Sequence, residues 1–402
     1  MTRSNQRLWG TRTTLFVSTL ALTALGVLFV HSTRGGGDFP NLSARLQLLK
    51  GFVGLAVFVM VSRLDYRVLD RFAYVLYGGF IVVLIGLLIA PTDDSTKRFI
   101  KLPYFYLQPS ELMKIVLVLA LARYLRYRED QRKLTGLLVP FALAVVPMLL
   151  VLKQPDLGTS LMFPPILLAT LFVAGAKSRH ILVAITLGVS LLLGAYFAHT
   201  KGLTVTHEYQ MRRLEAWMHQ DYDLNNLNYQ LDQSKIAIGS GGLTGKGLGE
   251  GTQNQFNFLP ARHTDFIFSI IAEEWGFIGA SATVILILIM VIAILRIAMN
   301  TREPIGRLIA AGIGVQFAAQ SFQNIAMTMG ITPITGLPLP FVSYGGSSLV
   351  TSFLAVGIVF SIARRRVQVM ASSDLNPQDT PRQVSVVDDR AAGLLDHRWA
   401  PH

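Results

Sequence analysis

Among 402 residues there is no cysteine. Disulfides, thiol nucleophiles and cysteine-ligated zinc are therefore excluded, as suits loops that face an oxidising compartment. Charge is also scarce. Asp, Glu, Lys and Arg make up 15% of the chain, against roughly 25% in an average soluble domain. No G-x-x-x-x-G-K-[ST] loop, G-x-S-x-G elbow, zinc-ligand spacing or paired-carboxylate spacing is present, so P-loop ATPase and hydrolase chemistries have no footing. What takes their place is apolar. Hydrophobic residues reach 51% and mean hydropathy is +0.46, which identifies a polytopic membrane protein rather than a string of soluble domains. The net charge of +12 would point to nucleic acid in a soluble protein. In a membrane protein the placement of the cations matters instead, and no nucleic-acid partner is expected.

Apolar stretches near the ~17–25 residues that a bilayer requires fall at 13–30, 46–61, 72–90, 110–124, 136–152, 159–174, 181–198, 266–295, 307–329 and 347–363. The first lacks a small-residue cleavage site and is followed by further spans, so it reads as a retained helix and not a signal peptide. The expected fold is all-α: a polytopic integral membrane bundle of about ten transmembrane helices, with one long extracytoplasmic loop at 199–264. Nineteen Lys and Arg residues fall on the inner segments, among them Arg63, Arg67, Arg123, Arg126 and the run Arg364, Arg365, Arg366. Seven fall on the short outer ones: Arg34, Arg45, Lys50, Lys97, Arg98, Lys101 and Lys153. By the positive-inside rule both termini are cytoplasmic. Residues 1–366 form one transmembrane domain, and 367–402 are polar enough to predict a disordered cytoplasmic tail.

The chain is organised around LPARHTDFIFSIIAEEWGFIGA, residues 259–280. Arg262, His263, Thr264 and Asp265 follow one another just where a polar loop turns into a membrane helix. A carboxylate at that depth is costly and marks a functional site, unless Thr264 or Asp265 merely caps the helix. Asp265 is the candidate general base, with His263 and Arg262 beside it.

Five other features open on the same side. Gln108-Pro109-Ser110 starts a helix in which Glu111 and Lys114 lie about 60° apart on one face, close enough to pair. Lys153 and Asp156 flank a Pro-Gly turn, where Asp156 is either a site residue or an N-cap. Lys246 sits in a glycine-rich run at 240–255 whose backbone N–H groups could cradle a phosphate. Gln316, Gln320, Gln323 and Asn324 share one helix face, as interhelical hydrogen bonding would require. Residues 333–348 contain three prolines and a Gly-Gly pair yet stay apolar. They read as a loop dipping back toward the membrane, with Ser343 as a ligand-binding hydroxyl or one of several serines and glycines that cap the next helix. Taken together, the cations Arg98, Lys114, Lys153, Lys246 and Arg262 suit an anionic ligand such as a pyrophosphate.

QPSELMK, KQPDLGTSL, GLGEGTQNQFNFLP, LPARHTDFIF and PITGLPLPFVSYGGSSL, in that order, resemble the SEDS family (shape, elongation, division and sporulation) over nearly the whole chain. Arg262-His263 before Thr264-Asp265 is more similar to its elongation members than to its division members. The resemblance implies a peptidoglycan glycosyltransferase that joins lipid II disaccharides into glycan strands on the outer face of the cytoplasmic membrane during cell elongation. It implies Asp265 as the essential carboxylate, acting as general base on a sugar hydroxyl. It places Arg98, Glu111, Lys114 and Asp156 along the site, with cations steadying a lipid pyrophosphate leaving group. The implied partners are lipid II, undecaprenyl-pyrophosphate-linked glycan and a class B penicillin-binding protein supplying transpeptidase activity. Ala261 stands where the family usually has glutamate, and Phe99 where tryptophan is common. No cofactor follows from the sequence, and no metal motif is present; a divalent cation, magnesium or manganese, with Asp265 or Glu111 as ligand, stays open. Two rival classes are a lipid II flippase, which would also want a cationic cavity and broken helices, and a pure scaffold. Charge crowded at the outer helix ends favours the enzyme, and a scaffold leaves Asp265, Glu111 and Lys114 without a purpose.

Overall fold

The structure, a computed structural model, describes residues 3–33, 41–90, 98–101, 106–128, 133–201, 208–218, 227–256 and 258–374. Its helices are α1 (Arg3–Ser32), α2 (Leu42–Arg63), α3 (Tyr66–Arg71), α4 (Ala73–Ile89), α5 (Pro109–Leu125), α6 (Leu138–Lys153), α7 (Leu157–Ser160) and α8 (Phe163–Val173). They continue with α9 (Ser178–Thr200), α10 (Glu208–Met218), α11 (Leu227–Ser240), α12 (Thr252–Gln255), α13 (Ile267–Asn300), α14 (Pro304–Thr328) and α15 (Gly346–Asp374). Strands β1 (Ile100–Lys101) and β2 (Tyr106–Leu107) form one short antiparallel pair before α5. The fold is therefore the expected all-α membrane bundle. Among the described residues six helices are long and apolar enough to cross a membrane: those at 10–32, 42–63, 135–153, 178–198, 267–300 and 346–365. Shorter apolar helices lie at Ala73–Ile89 and Leu157–Val173. Arg34, Lys97 and residues 375–402 of the expected tail lie outside the described residues.

α5 and α14 run through the middle, with fourteen and seventeen buried residues respectively. That burial explains their composition. They carry the glutamine stripe and the Glu111–Lys114 pair, which lipid would not tolerate but neighbouring helices can satisfy. By contrast α2, α4 and α9 present Phe52, Met60, Val75, Val82, Leu182 and Leu191 outward, as lipid-facing helices should.

Charge is sorted to the two ends. At one, Arg67 pairs with Glu303 at 3.0 Å, Arg126 with Asp70 at 2.5 Å and Arg365 with Asp65 at 3.0 Å. The opposite end gathers the close of α1, the starts of α2, α5, α7 and α15, and the loop after α14. Gln108 N donates to Ser347 Oγ at 3.0 Å there, and Gln47 Nε2 to the Ser343 carbonyl at 3.1 Å. At Gly158 an added Cβ would stand 2.6 Å from the Thr335 carbonyl oxygen, so the turn before α8 and the loop after α14 meet backbone to backbone.

Candidate active site

Asp265 lies at that second end, immediately before α13. Neither it nor Thr264 caps the helix: the N-cap is Phe266, which has no side-chain cap bond. The capping explanation of this carboxylate is thereby removed. Its backbone is held instead by Asn324 Nδ2, which donates to the Asp265 carbonyl at 2.9 Å and to that of Leu337 at 2.7 Å. Part of the side chain stays open to solvent. Burial of the rest pushes its pKa up, opposed by the Arg213 charge, a hydrogen bond from Thr264 and the Arg98 charge. A carboxylate with raised proton affinity, facing guanidinium groups, is what a general base needs near neutral pH.

The loop at 330–345 forms the wall opposite. The glutamine stripe carries it: Gln320 Nε2 donates to the Pro338 carbonyl at 2.9 Å, and Gln323 Nε2 to Thr332 Oγ1 at 3.1 Å. The stripe thus serves mainly to fix an irregular loop, and among the described residues its Gln320–Lys114 contact, at 2.8 Å, is the interhelical bond expected. Ser343 is a staple. Its Oγ donates to the Thr264 carbonyl at 2.5 Å and accepts from Leu339 N at 2.8 Å. His263 lies edge-on to Tyr344, with ring centroids 5.8 Å apart, and Lys50 Nζ sits 3.8 Å above the same Tyr344 ring. Arg262 Nε donates to the Thr33 carbonyl at 2.7 Å, tying this segment to the end of α1.

The remaining predicted residues take distinct positions. Lys114 is fully buried and bonds Glu111 at 2.9 Å. Asp156 caps α7 through Thr159 N at 3.2 Å and also accepts from Gln108 Nε2 at 2.6 Å and Ser110 Oγ at 3.1 Å. It is a cap and a bridge to the start of α5 at once. Arg98 lies 5.1 Å from the Phe99 ring, and its buried Nε has no partner among the described residues. Lys153 is exposed at the end of α6. Lys246 bonds Glu273 at 2.8 Å.

The glycine-rich run spends its backbone on α13 rather than on an open cradle. Lys246 N and Gly247 N donate to the Glu273 and Glu274 carbonyls, and Gly242 O and Leu243 O accept from Phe277 N and Ile278 N. This is feasible because α13 breaks at Gly276, where φ is +63°. A Cβ there would lie 2.6 Å from the Leu243 carbonyl, so only glycine fits. Glu273 and Glu274, fully buried, anchor this strap: Glu273 accepts from Thr252 Oγ1 and Gln253 N, Glu274 from Ser32 Oγ and Asn254 Nδ2. Nothing in the sequence reading assigned these two acids a role. Arg213 was missed too, because an arginine on an amphipathic loop helix carries no local signal of where the loop folds.

For a divalent cation the two candidate carboxylates differ. Glu111 is closed onto Lys114, whereas Asp265 is only half-buried. Among the described residues no three His, Asp or Glu side chains gather as a metal cluster. Magnesium is commonly held by one or two carboxylates together with substrate phosphates, and Asp265 alone fits such a shared arrangement.

The comparisons agree over most of the chain. A probable peptidoglycan glycosyltransferase FtsW from Geobacter sulfurreducens is 36% identical over 361 residues, covering 87% of this chain and 94% of that protein. The peptidoglycan glycosyltransferase MrdB of Escherichia coli is 35% identical over 360 residues, covering 89% and 95%. Among solved structures, a chain of a peptidoglycan synthase complex superposes with a TM-score of 0.75 at 28% identity, covering 90% of this chain and 98% of that one. The rod shape determining protein RodA of Thermus thermophilus does so with a TM-score of 0.64 at 28% identity, covering 88% and 96%. The family model for the cell cycle proteins FtsW, RodA and SpoVE matches residues 12–368, and the chain belongs to that family.

Proposed function

We propose that this protein is a peptidoglycan glycosyltransferase that polymerises lipid II on the outer face of the cytoplasmic membrane, in the service of cell elongation. The observation that carries the reading is the setting of Asp265: its backbone is pinned by Asn324, its carboxylate is part-buried, and Arg213 and Arg98 act on it electrostatically. The related proteins named glycosyltransferases match along nearly their whole length. The elongation role rests on the Arg262-His263 pair ahead of Thr264-Asp265.

In this mechanism Asp265 takes the proton from the GlcNAc 4-hydroxyl of a lipid II molecule. That oxygen attacks the anomeric carbon of the growing strand, the bond to the pyrophosphate breaks, and configuration inverts. Undecaprenyl pyrophosphate leaves with the electron pair of the broken bond. Cations at the site, Arg98 foremost, stabilise the developing charge on the pyrophosphate. Asp265 would be the residue to hold a magnesium or manganese ion, which would supply further positive charge for the pyrophosphate when bound. The site faces outward on this reading because the arginines at 67, 123, 126 and 365 lie at the opposite end of the bundle, as the positive-inside rule asks of a cytoplasmic face. A class B penicillin-binding protein is the partner that would crosslink the product; the likeness to a chain of a peptidoglycan synthase complex supports this.

The test is polymerisation of purified lipid II by the chain with its cognate penicillin-binding protein, one that carries no transglycosylase domain. Wild type is compared with Asp265→Ala. Glycan strands from wild type and none from a folded variant are the expected result. Equal product from both would remove Asp265 from the chemistry. No product from either, with lipid II crossing vesicle membranes, would make the protein a flippase.

A further inference from the structure

The segment that delivers Asp265 is held by its carbonyls, three in a row. Tyr344 N donates to the His263 carbonyl at 2.9 Å, Ser343 Oγ to that of Thr264 at 2.5 Å and Asn324 Nδ2 to that of Asp265 at 2.9 Å. Two of these donors lie in, or directly after, one tight turn. In it the Leu339 carbonyl accepts from Val342 N at 3.2 Å and Ser343 N at 3.0 Å, and Leu339 N donates to Ser343 Oγ at 2.8 Å. At the bend stands Phe341, with φ +66°. A bulky side chain in this left-handed region is an outlier, which persists only where its surroundings over-determine it. Here they do. The buried Phe341 ring packs on Phe317 of α14, with centroids 5.6 Å apart, and meets Phe353 of α15 edge-on at 5.3 Å. α1 closes against the same turn, since a Cβ at Gly26 would stand 2.6 Å from the Phe341 and Val342 carbonyl oxygens.

We infer that Phe341 is a positioning residue for the proposed base: its ring, anchored to α14 and α15, holds the 339–343 turn in the strained conformation that aims Ser343 Oγ and Tyr344 N at the segment before Asp265. This rests on the reading of Asp265 as general base. Glycine would adopt the same φ at little steric cost, so what phenylalanine adds over glycine is the anchor. A turn that would relax on its own is kept to one geometry by two rings on different helices, and one of those helices, α14, also carries Asn324. A hydroxyl has one proton to donate, and that of Ser343 is committed to Thr264, so this serine serves the clamp. Misplacing a reacting group by about 1 Å can cost ~100-fold in rate. A clamp on three consecutive carbonyls therefore bears on catalysis as well as on folding.

The experiment measures kcat and KM for lipid II polymerisation by the full-length chain with its penicillin-binding partner. Hydrogen exchange at the Tyr344 and Leu339 amides, which bond the His263 carbonyl and Ser343 Oγ, reports on the clamp itself. Wild type, Phe341→Gly, Phe341→Met, Phe353→Leu and Asp265→Ala are compared, with thermal unfolding as the check on folding. Phe341→Gly leaves the φ accessible and removes the anchor. Both amides should exchange faster and kcat should fall by roughly tenfold or more, with KM little changed. Phe341→Met keeps a long apolar side chain against the two rings and should stay close to wild type. Phe353→Leu leaves the turn's own residues intact and should move exchange and kcat in the same direction as Phe341→Gly, by less. A folded Phe341→Gly with unaltered exchange, with wild-type kcat or with a loss confined to KM overturns the inference, as does a Phe341→Met equally impaired. Should Phe341→Gly fail to fold, Phe353→Leu decides: lowered stability with exchange and kcat unchanged overturns it. Activity in Asp265→Ala would overturn the general-base reading instead, and the exchange measurements would still judge the clamp.

Discussion

Asn324 Nδ2 donates at 2.9 Å to the carbonyl of Asp265 and at 2.7 Å to that of Leu337. One fully buried amide on α14 therefore sets the distance between the proposed base and the loop that faces it. Asn324→Leu would leave both carbonyls without this donor, at about 1–3 kcal/mol for each buried group left unsatisfied. The expected outcome is a lower Tm together with a fall in kcat of roughly tenfold or more, equivalent to ~1.4 kcal/mol of barrier. KM should hold, because the bond positions Asp265 and does not touch lipid II. Steady-state polymerisation alongside a thermal melt separates the two effects.

Asp265 also gives a pH prediction with a definite sign. Burial raises its proton affinity in the folded state, so between its ordinary carboxylate value and the raised one the native protein binds more protons than the unfolded chain. Stability must then fall as pH rises through that window. Asp265→Asn removes the part-buried charge. Above the window it should therefore raise the Tm while abolishing polymerisation, and at low pH the two melting curves should converge. A variant that is inactive and also less stable at neutral pH would contradict this account.

Much of this arrangement was legible in the chain. The membrane bundle was readable because lipid demands apolar length, and Asp265 stood out because a carboxylate where a helix enters lipid needs a reason. Glu111 and Lys114 were correctly paired from helical spacing alone, and the structure closes them at 2.9 Å. Arg213 and the two glutamates of the AEEW run were not found. Their partners are distant in sequence: Ser32 lies 242 residues from Glu274, and Ile334 lies 121 residues from Arg213. No local period encodes such contacts. The glycine run was misjudged for a related reason, since a cradle for phosphate and a strap against a broken helix ask for the same residue type.

The Glu111–Lys114 pair distinguishes a structural role from a functional one. Both side chains are almost wholly buried, so Lys114→Met leaves an uncompensated carboxylate and should destabilise by about 3–5 kcal/mol. Replacing both, Glu111→Gln with Lys114→Met, should recover most of that stability, because two neutral groups no longer need each other. If the pair lines the substrate site, the double variant is folded yet impaired in polymerisation. Melts and rates of the two singles and the double, read as a cycle, give the answer.

Lys246 was expected at the substrate, and its position on Glu273 makes a different prediction. Glu273 Oε1, on a fully buried side chain, accepts from Lys246 Nζ at 2.8 Å, Thr252 Oγ1 at 3.0 Å and Gln253 N at 3.1 Å. Lys246→Ala removes the only cation among these donors, leaving a buried carboxylate with two neutral ones. The strap at 240–255 should then loosen from α13. Hydrogen exchange at the amides of Lys246 and Gly247, which bond the Glu273 and Glu274 carbonyls, should accelerate first. Because α13 begins two residues after Asp265, polymerisation should drop with it. Adding Glu273→Gln removes the stranded charge and should restore both protection and activity. A Lys246→Ala variant with wild-type exchange but weakened use of lipid II would instead return this lysine to the substrate.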